Sequence, residues 1–339
     1  MSAFILTRVK VTRAAMLLLT VSLFLTGCKG GEPVTPTPGA SPPAVQSKQD
    51  TRPLVLDRAR DAVVVYFTTP NGKYLVPVTL PINPTQRAVE VAVEKLLAGP
   101  PDKSLARTLP EGTKIRGMYL VGNTAFVDLT GEVRKLADKE AAERGIRSLL
   151  LTVTEFPGVD QVALLVDGQA ETSLAGLELN QQMPRPEVIN PGPQSEARSR
   201  IQVYFSDENA LYLVPLSLGF KADATIQERA RKAVEVLLTG PPTREGLSRT
   251  IWAGTRLRDL TVAEGKAIVN LSKQAIGYGG GATAESVLLS SLVYTLTDIP
   301  GISEVQLLIE GQKLDHLPEG TEVAKPIRRP DRLNFIDSR

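Results

Sequence analysis

Apolar positions along the chain fall into two rhythms, one short and continuous, one spaced at three and four residues, and the two alternate in a fixed order. Val63 to Phe67 is a run of β-branched and aromatic residues, and after Asn71-Gly72 a second run extends from Tyr74 to Leu80. Two such runs around an Asn-Gly pair predict a β-hairpin. The spacing then lengthens. Val89, Ala92, Val93, Leu96 and Leu97 stand at i, i+3, i+4, i+7 and i+8, the apolar stripe of a helix, which Gly99 and the two prolines after it bring to an end. Thr113 to Leu120 and Ala125 to Leu129, parted by Gly122-Asn123, predict a second strand pair. Ile146, Leu149, Leu150, Val153 and Phe156 mark a second helix ended by Pro157-Gly158, and Val162 to Val166 predicts a last strand.

The whole series then starts again. "VVVYFTTPNGKYLVPVTL" from Val63 is matched by "IQVYFSDENALYLVPLSL" from Ile201, "LLAGPP" from Leu96 by "LLTGPP" from Leu237, "AFVDL" from Ala125 by "AIVNL" from Ala267, and "FPGVDQVALLVDGQ" from Phe156 by "IPGISEVQLLIEGQ" from Ile299. The second helix returns as Leu289, Leu292, Val293, Leu296 and Ile299. Even the exits echo each other: Arg185-Pro186 with Asn190 in the first copy, Arg329-Pro330 with Asn334 in the second. A repeat of this length is a duplicated domain rather than a solenoid unit. Each copy reads β-β-α-β-β-α-β, two helices on one face of a mostly antiparallel or mixed sheet, so the chain is expected to form two tandem α+β two-layer domains. The expected boundaries are 60–190 and 200–330, with a linker at 191–199 and a tail at 331–339.

Ahead of the first copy the pattern changes character. Arg8, Lys10 and Arg13 precede an apolar run from Ala14 to Leu25, the length of a signal-peptide core and short for a membrane span. Residues 1–27 are therefore expected to be an export signal. It closes on Leu25-Thr26-Gly27-Cys28, which resembles the bacterial lipobox, in which the cysteine becomes the lipid-bearing first residue of the mature protein. Cys28 is the expected membrane anchor, since more than one acyl chain is needed for stable attachment. Residues 28–59, with Pro33, Pro36, Pro38, Pro42, Pro43 and Pro53 among small polar residues, read as a disordered tether. Its reach would be roughly 30 Å as flexible coil and roughly 95 Å as extended polyproline.

Composition removes several kinds of chemistry. Cys28 is the only cysteine and His316 the only histidine, so neither an internal disulfide nor a typical zinc or copper ligand set can be assembled. A formal net charge of +2 without clustered basic residues gives no footprint for nucleic acid.

The ordered fragments "VYF", "YLVPV", "LLAGPP", "EGTKI", "AFVDL", "LTVTEFPGV" and "LLVDG" resemble the GerM domain of sporulation and spore-germination lipoproteins, here present twice. The resemblance implies a non-enzymatic, membrane-anchored envelope protein on the outer face of the cell membrane. Its partners would be envelope proteins of a sporulation complex, and the domain is similar to ring-building motifs that associate side by side. No cofactor and no small-molecule substrate are implied. The second copy departs at Thr250-Ile251-Trp252-Ala253-Gly254, where the first has Thr108-Leu109-Pro110-Glu111-Gly112, and equal binding roles for the two copies are therefore in doubt.

Candidate chemistry is sparse. "GYGGGATAE" from Gly277 fits a phosphate-cradling G-x-G-x-x-A with Asp298 near the place of a ribose-binding acid, yet it follows half of a hairpin and the first copy has "GEVRKLADKE" instead. Asp128 and Asp167 lie at strand ends where paired carboxylates cleave glycans, but their counterparts are Asn270 and Glu310. His316 beside Asp315 lacks a serine in a strand-to-helix elbow. Tyr66-Phe67 and Tyr204-Phe205 each place one ring in the core and one on the opposite face. Tyr74, Tyr212 and above all Trp252 are candidate interface residues, aromatic side chains being enriched at binding hot spots. An assembly module is the leading expectation, with a cell-wall glycan-binding or glycan-cleaving protein and a solute-binding lipoprotein as alternatives.

Overall fold

The computed structural model describes residues 51–243, 245–277 and 281–337. Cys28, the export signal and most of the expected tether lie outside them. Both copies belong to one compact unit, Lys48–Arg339, and the fold is α+β, with the predicted order of elements in each copy.

In the first copy β1 is Thr51–Pro53, β2 Arg60–Thr68, β3 Leu75–Thr85, α1 Ala88–Ala98, β4 Ile115–Val121, β5 Thr124–Leu129, α2 Lys139–Val153 and β6 Gln161–Val166. The second repeats the plan with β7 Ser199–Ser206, β8 Leu213–Phe220, α3 Ile226–Thr239, β9 Leu257–Ala263, β10 Lys266–Leu271, α4 Gly281–Thr297 and β11 Glu304–Ile309. The strands are shared between two sheets per copy. β2 and β3 form an antiparallel hairpin of their own, with Val63 opposite Leu80 and Phe67 opposite Val76, and β7 pairs β8 in the same way. In the other sheet β4 runs antiparallel to β5, whereas β5 and β6 are parallel, Ala125 opposite Val162. α2 is the crossover that parallel pairing requires. β9, β10 and β11 repeat this arrangement. α1 and α2 pack on each other and on β2, and reach the second sheet at β4 and β6 respectively.

Hydroxyls on the crossover helix occupy part of the outer edge of each hairpin. The Tyr66 amide donates to Thr152 Oγ1 at 3.2 Å and Ser148 Oγ donates to the Tyr66 carbonyl at 2.5 Å. In the second copy the Tyr204 amide donates to Thr295 Oγ1 at 3.0 Å and Ser291 Oγ to the Tyr204 carbonyl at 2.7 Å. An edge strand whose buried amide and carbonyl are already bonded offers nothing to a further strand. The helix covers the second face of the hairpin as well: Tyr66 packs with Leu75 and Leu151, so both members of the Tyr66-Phe67 pair are buried, and so are Tyr204 and Phe205.

The segments expected to be free at the domain borders are part of the fold. β1, at the end of the expected tether, pairs antiparallel with the outer edge of β4, Thr51 opposite Val121, and Leu54 is buried. The ordered part therefore begins before residue 60, where Thr51, Leu54 and Leu56 end the proline-rich composition and an open strand edge is waiting. Among the described residues no strand lies on the matching edge of β9. There the Gln227 amide from α3 accepts from the Val262 amide at 2.8 Å and donates to the Leu260 carbonyl.

α3 opens on a capping box. Thr225 accepts from the Glu228 amide at 3.2 Å while the Glu228 carboxylate accepts from the Thr225 amide at 2.7 Å. The hydrogen bond from Lys221, with those from Thr225, holds Glu228 down at about 2. Replacing Thr225 with alanine is expected to cost about 1 kcal/mol in urea denaturation, the worth of a good N-cap.

Candidate functional site

Two clusters of side-chain hydrogen bonds stand at the two exits, where the sequence echo of Arg-Pro and Asn lies. Arg185 donates to the Leu151 carbonyl and to Thr154 Oγ1, each at 3.0 Å, and to Glu155 at 2.5 Å, and it reaches the Tyr66 hydroxyl at 3.3 Å. Arg329 does the same for α4. It donates to the Tyr294 carbonyl and the Tyr204 hydroxyl, each at 3.0 Å, pairs with Asp298 at 3.6 Å, and lies over the Tyr294 ring at 4.6 Å. Each guanidinium thus caps the last turn of its crossover helix, where unpaired carbonyls and the helix dipole favour a cation.

Five residues further on, an asparagine ties the two copies together. Asn190 is 3% exposed. Its Oδ1 accepts from the Leu75 amide at 2.7 Å, and its Nδ2 donates to the Leu75 carbonyl of its own copy and the Pro215 carbonyl of the other, each at 2.8 Å. Asn334 mirrors it: Oδ1 accepts from the Leu213 amide at 2.7 Å, and Nδ2 donates to the Leu213 carbonyl at 2.7 Å and the Pro77 carbonyl at 2.8 Å. The exit backbones follow suit. The segment after the first copy runs along β8, where Gly192 donates to the Ser217 carbonyl at 2.8 Å and Ser217 to the Asn190 carbonyl at 3.0 Å; the segment after the second runs along β3, where Thr79 donates to the Leu333 carbonyl and Ile336 to the Thr79 carbonyl, each at 3.1 Å. Each copy's exit is laid on the other copy's hairpin. The expected linker at 191–199 and the described part of the expected tail, 331–337, therefore form a reciprocal clasp.

Tyr74 and Tyr212, read from the sequence as candidate interface residues, stand at this same junction. Tyr212 is buried and donates from its hydroxyl to Asp102 of the first copy; burial, then Asp102, raises its pKa above 10.0. Tyr74 is half-buried beside Gly246 of the second copy, next to the ion pair of Lys73 with Glu245. The structure turns both toward the neighbouring copy. Trp252 is 44% exposed at the rim of a groove of about 330 Å³ lined by Leu288 and Leu317. The nearby Glu285 carboxylate accepts from the Glu319 amide at 2.8 Å and Thr321 Oγ1 at 2.6 Å, which holds the loop behind the groove. Cys28 lies outside the described residues.

The other candidates have visible structural duties. Asp128 Oδ1 accepts from the Gly168 amide at 3.0 Å, and Asn270 Oδ1 accepts from the Gly311 amide at 2.8 Å in the second copy. Asp167 and Glu310, at φ of 55° and 48°, accept from the Gly131 and Lys273 amides at 3.2 and 2.9 Å and face Arg134 and Arg258. What these positions share is turn-holding, which an amide does as well as a carboxylate. Asp298 is held among Gln202, Tyr204 and Arg329, and burial raises its pKa. His316 is exposed, its backbone bridged to Glu322. Of the Gly277 loop, residues 278–280 fall outside the description. Among the described residues no group of three or more His, Cys, Asp or Glu is placed to hold a metal, and no helix is long and apolar enough to cross a membrane.

Burial pushes the Tyr204 hydroxyl up to about 12, with Asp298 adding to it, and raises Tyr66 well above 10.0. The folded state thus holds these protons more tightly than the unfolded chain does. Their contribution to stability is complete below pH 10 and is lost as the pH rises from 10 through about 12. A tyrosinate absorbance titration is expected to show a class of tyrosines silent at pH 10 to 11, ionising together with a fall in the urea midpoint.

Two copies of one α+β domain, clasped by their own exits, define a tandem-domain protein of one compact body. A family model described as sporulation and spore germination (Germane) matches residues 64–172 and 202–315, one match per copy, and the chain belongs to this family. It is 24% identical over 296 residues, 82% of this chain and 80% of the relative, to the spore germination protein GerM of Bacillus subtilis (strain 168). The solved structure of the tandem GerMN domains of the sporulation protein GerM from the same organism superposes with a TM-score of 0.60 at 22% identity, covering 80% of this chain and 99% of that one. The first GerMN domain alone, at 24% identity, covers 37% of this chain and 97% of its own with a TM-score of 0.34.

Proposed function

We propose that the protein is an exported lipoprotein, anchored through Cys28 on the outer face of the cell membrane, which serves sporulation or spore germination as a non-catalytic binding and assembly module. The observation that carries this reading is the double match to the sporulation and germination family, one for each copy. The relatives named above bear no catalytic name, and Asp128 and Asp167, the acids considered for glycan cleavage, are engaged in holding turns. Partners are envelope proteins of the sporulating cell, met through the outer surfaces of the tandem body.

The experiment is genetic and biochemical together. Replacing Cys28 with serine is expected to release the protein from the membrane fraction and reproduce the sporulation or germination defect of a deletion strain. Crosslinking in sporulating cells is expected to join the wild-type protein to envelope proteins. A deletion strain that sporulates and germinates normally, or cleavage of peptidoglycan by the purified protein, would overturn the reading.

A further inference from the structure

Helices α2 and α4 occupy the same place in their copies but show the outside different surfaces. The outward positions of α2 are Lys139, Glu140, Glu143, Arg144 and Arg147; the matching positions of α4 are Ala282, Thr283, Ser286, Val287 and Ser290. At each pair both residues are exposed or both half-buried, so the two faces differ in chemistry and not in position. α2 is an ordinary surface helix with an apolar inner stripe and a charged outer face, whereas α4 carries a single charged side chain, the buried Glu285. An outer face of small, uncharged side chains costs less to cover than the charged face of α2.

What α2 does with its charges shows what α4 leaves open. Arg144, paired with Glu140 at 2.7 Å, lies over the turn of the β2–β3 hairpin within 4 Å of where a Cβ on Gly72 would stand, and Arg147 donates to the Val188 carbonyl at 3.0 Å. The second copy has Val287 and Ser290 there. In their place is a groove of about 480 Å³ between α4 and the β7–β8 turn, with Leu211, 55% exposed, on its rim. Ser206 lines the groove and is 1% exposed, and among the described residues its hydroxyl has no hydrogen-bond partner. In the first copy the matching hydroxyl of Thr68 donates to the Tyr74 carbonyl at 3.0 Å. A buried hydroxyl left unpaired is costly and points to an occupant that supplies hydrogen-bonding groups. The groove also runs into the clasp at Leu333 and Asn334, so it continues a surface this fold already uses to join one copy to another.

We infer that the outer face of α4 with the adjoining groove is a twofold interface, and that its occupant is the same face of a second copy of this chain. A twofold contact needs one surface to carry both halves of the fit, and every charge near the axis meets its own image. The helix face meets both conditions, and Arg332, the charged residue that lines the groove, is paired with Asp61 at 2.9 Å. Leu211 projects beside a recess floored by small side chains, and Ala282, Ser286 and Ser290, four residues apart, let a second helix come close. No charge stands among the five outward residues, whereas the face of α2 would set like charges against each other. The incoming Thr283, Ser286 and Ser290 bring hydroxyls, the groups an unpaired serine hydroxyl can bond. Such a contact closes at two chains, and tethering to one membrane would raise the local concentration in its favour.

The compact unit, residues 48–339, is the material for the test and contains no cysteine. In sedimentation runs up to about 1 mM, where even a millimolar Kd is visible, it is expected to pass from monomer to dimer. Val287→Arg with Ser290→Arg, which gives α4 the side chains α2 carries, is expected to weaken dimerisation about a hundredfold with the circular dichroism and melting curve unchanged. Under oxidation Ser286→Cys should yield a disulfide-linked dimer quickly, and Glu143→Cys, its counterpart on α2, should not. Sedimentation as a monomer throughout, dimers that survive the double arginine variant, or equal crosslinking of the two cysteines would overturn the inference.

Discussion

Asn190→Asp is expected to destabilise the protein by about 3 to 5 kcal/mol at neutral pH, the scale for a charge buried against groups it cannot satisfy. The Asn190 amide donates to two carbonyls, those of Leu75 and Pro215, in a site that is 3% exposed. A carboxylate there has no proton to donate and faces both oxygens, so burial and repulsion favour its neutral form. The introduced carboxyl would accordingly hold its proton more tightly folded than unfolded. The deficit is then smallest below the ordinary aspartate value of about 3.9 and grows as the pH rises. Urea denaturation at pH 4 and pH 7 checks this, with Asn190→Ala as the variant whose cost does not depend on the new group. The same change at Asn334, which makes equivalent bonds from a half-buried position, is expected to cost less. An Asn190→Asp deficit equal at the two pH values would refute the donor role of the amide.

The second large effect is expected from stripping the hairpin edge. Ser148→Ala with Thr152→Val removes both hydroxyls that bond the Tyr66 amide and carbonyl, and Ser148 also meets Thr108 Oγ1 at 2.8 Å. Two buried backbone groups are left unpaired at about 1 to 3 kcal/mol each, so a loss of about 2 to 6 kcal/mol is expected in urea denaturation. Ser291→Ala with Thr295→Val should act alike, since the bonds are matched. An uncovered edge also pairs with other edges, and light scattering on warming should rise in these variants before the wild type.

The alternating rhythms were sufficient to read the elements, because each strand and each helical stripe buries a regular set of residues: Val89, Ala92, Val93 and Leu96 are all buried in α1. The duplication was equally legible, as was the echo of Arg-Pro and Asn at the exits. What that echo does was not. Asn190 and Asn334 each join the backbone of their own copy to that of the other, and a contact of that kind leaves no periodic trace in a chain. The edge hydroxyls do leave one: Ser148 and Thr152, like Ser291 and Thr295, stand at identical spacing among the apolar residues of their helices. Composition puts the border at residue 59, because it registers Pro53 and cannot register that β4 has an open edge for Thr51 to Pro53. Tyr74 and Tyr212 stand out in the sequence as aromatic candidates for an outer interface, and nothing in the pattern says that they face the other copy of the same chain.

Reciprocal exits also bear on how such a chain can change over generations. Excising either half from the gene would leave the survivor with an asparagine reaching for an absent neighbour and a bare strand at Thr79 or Ser217. A duplication that began as two interchangeable units has in this way become hard to reverse, and the halves can diverge on their outer helices only while they remain matched along the seam.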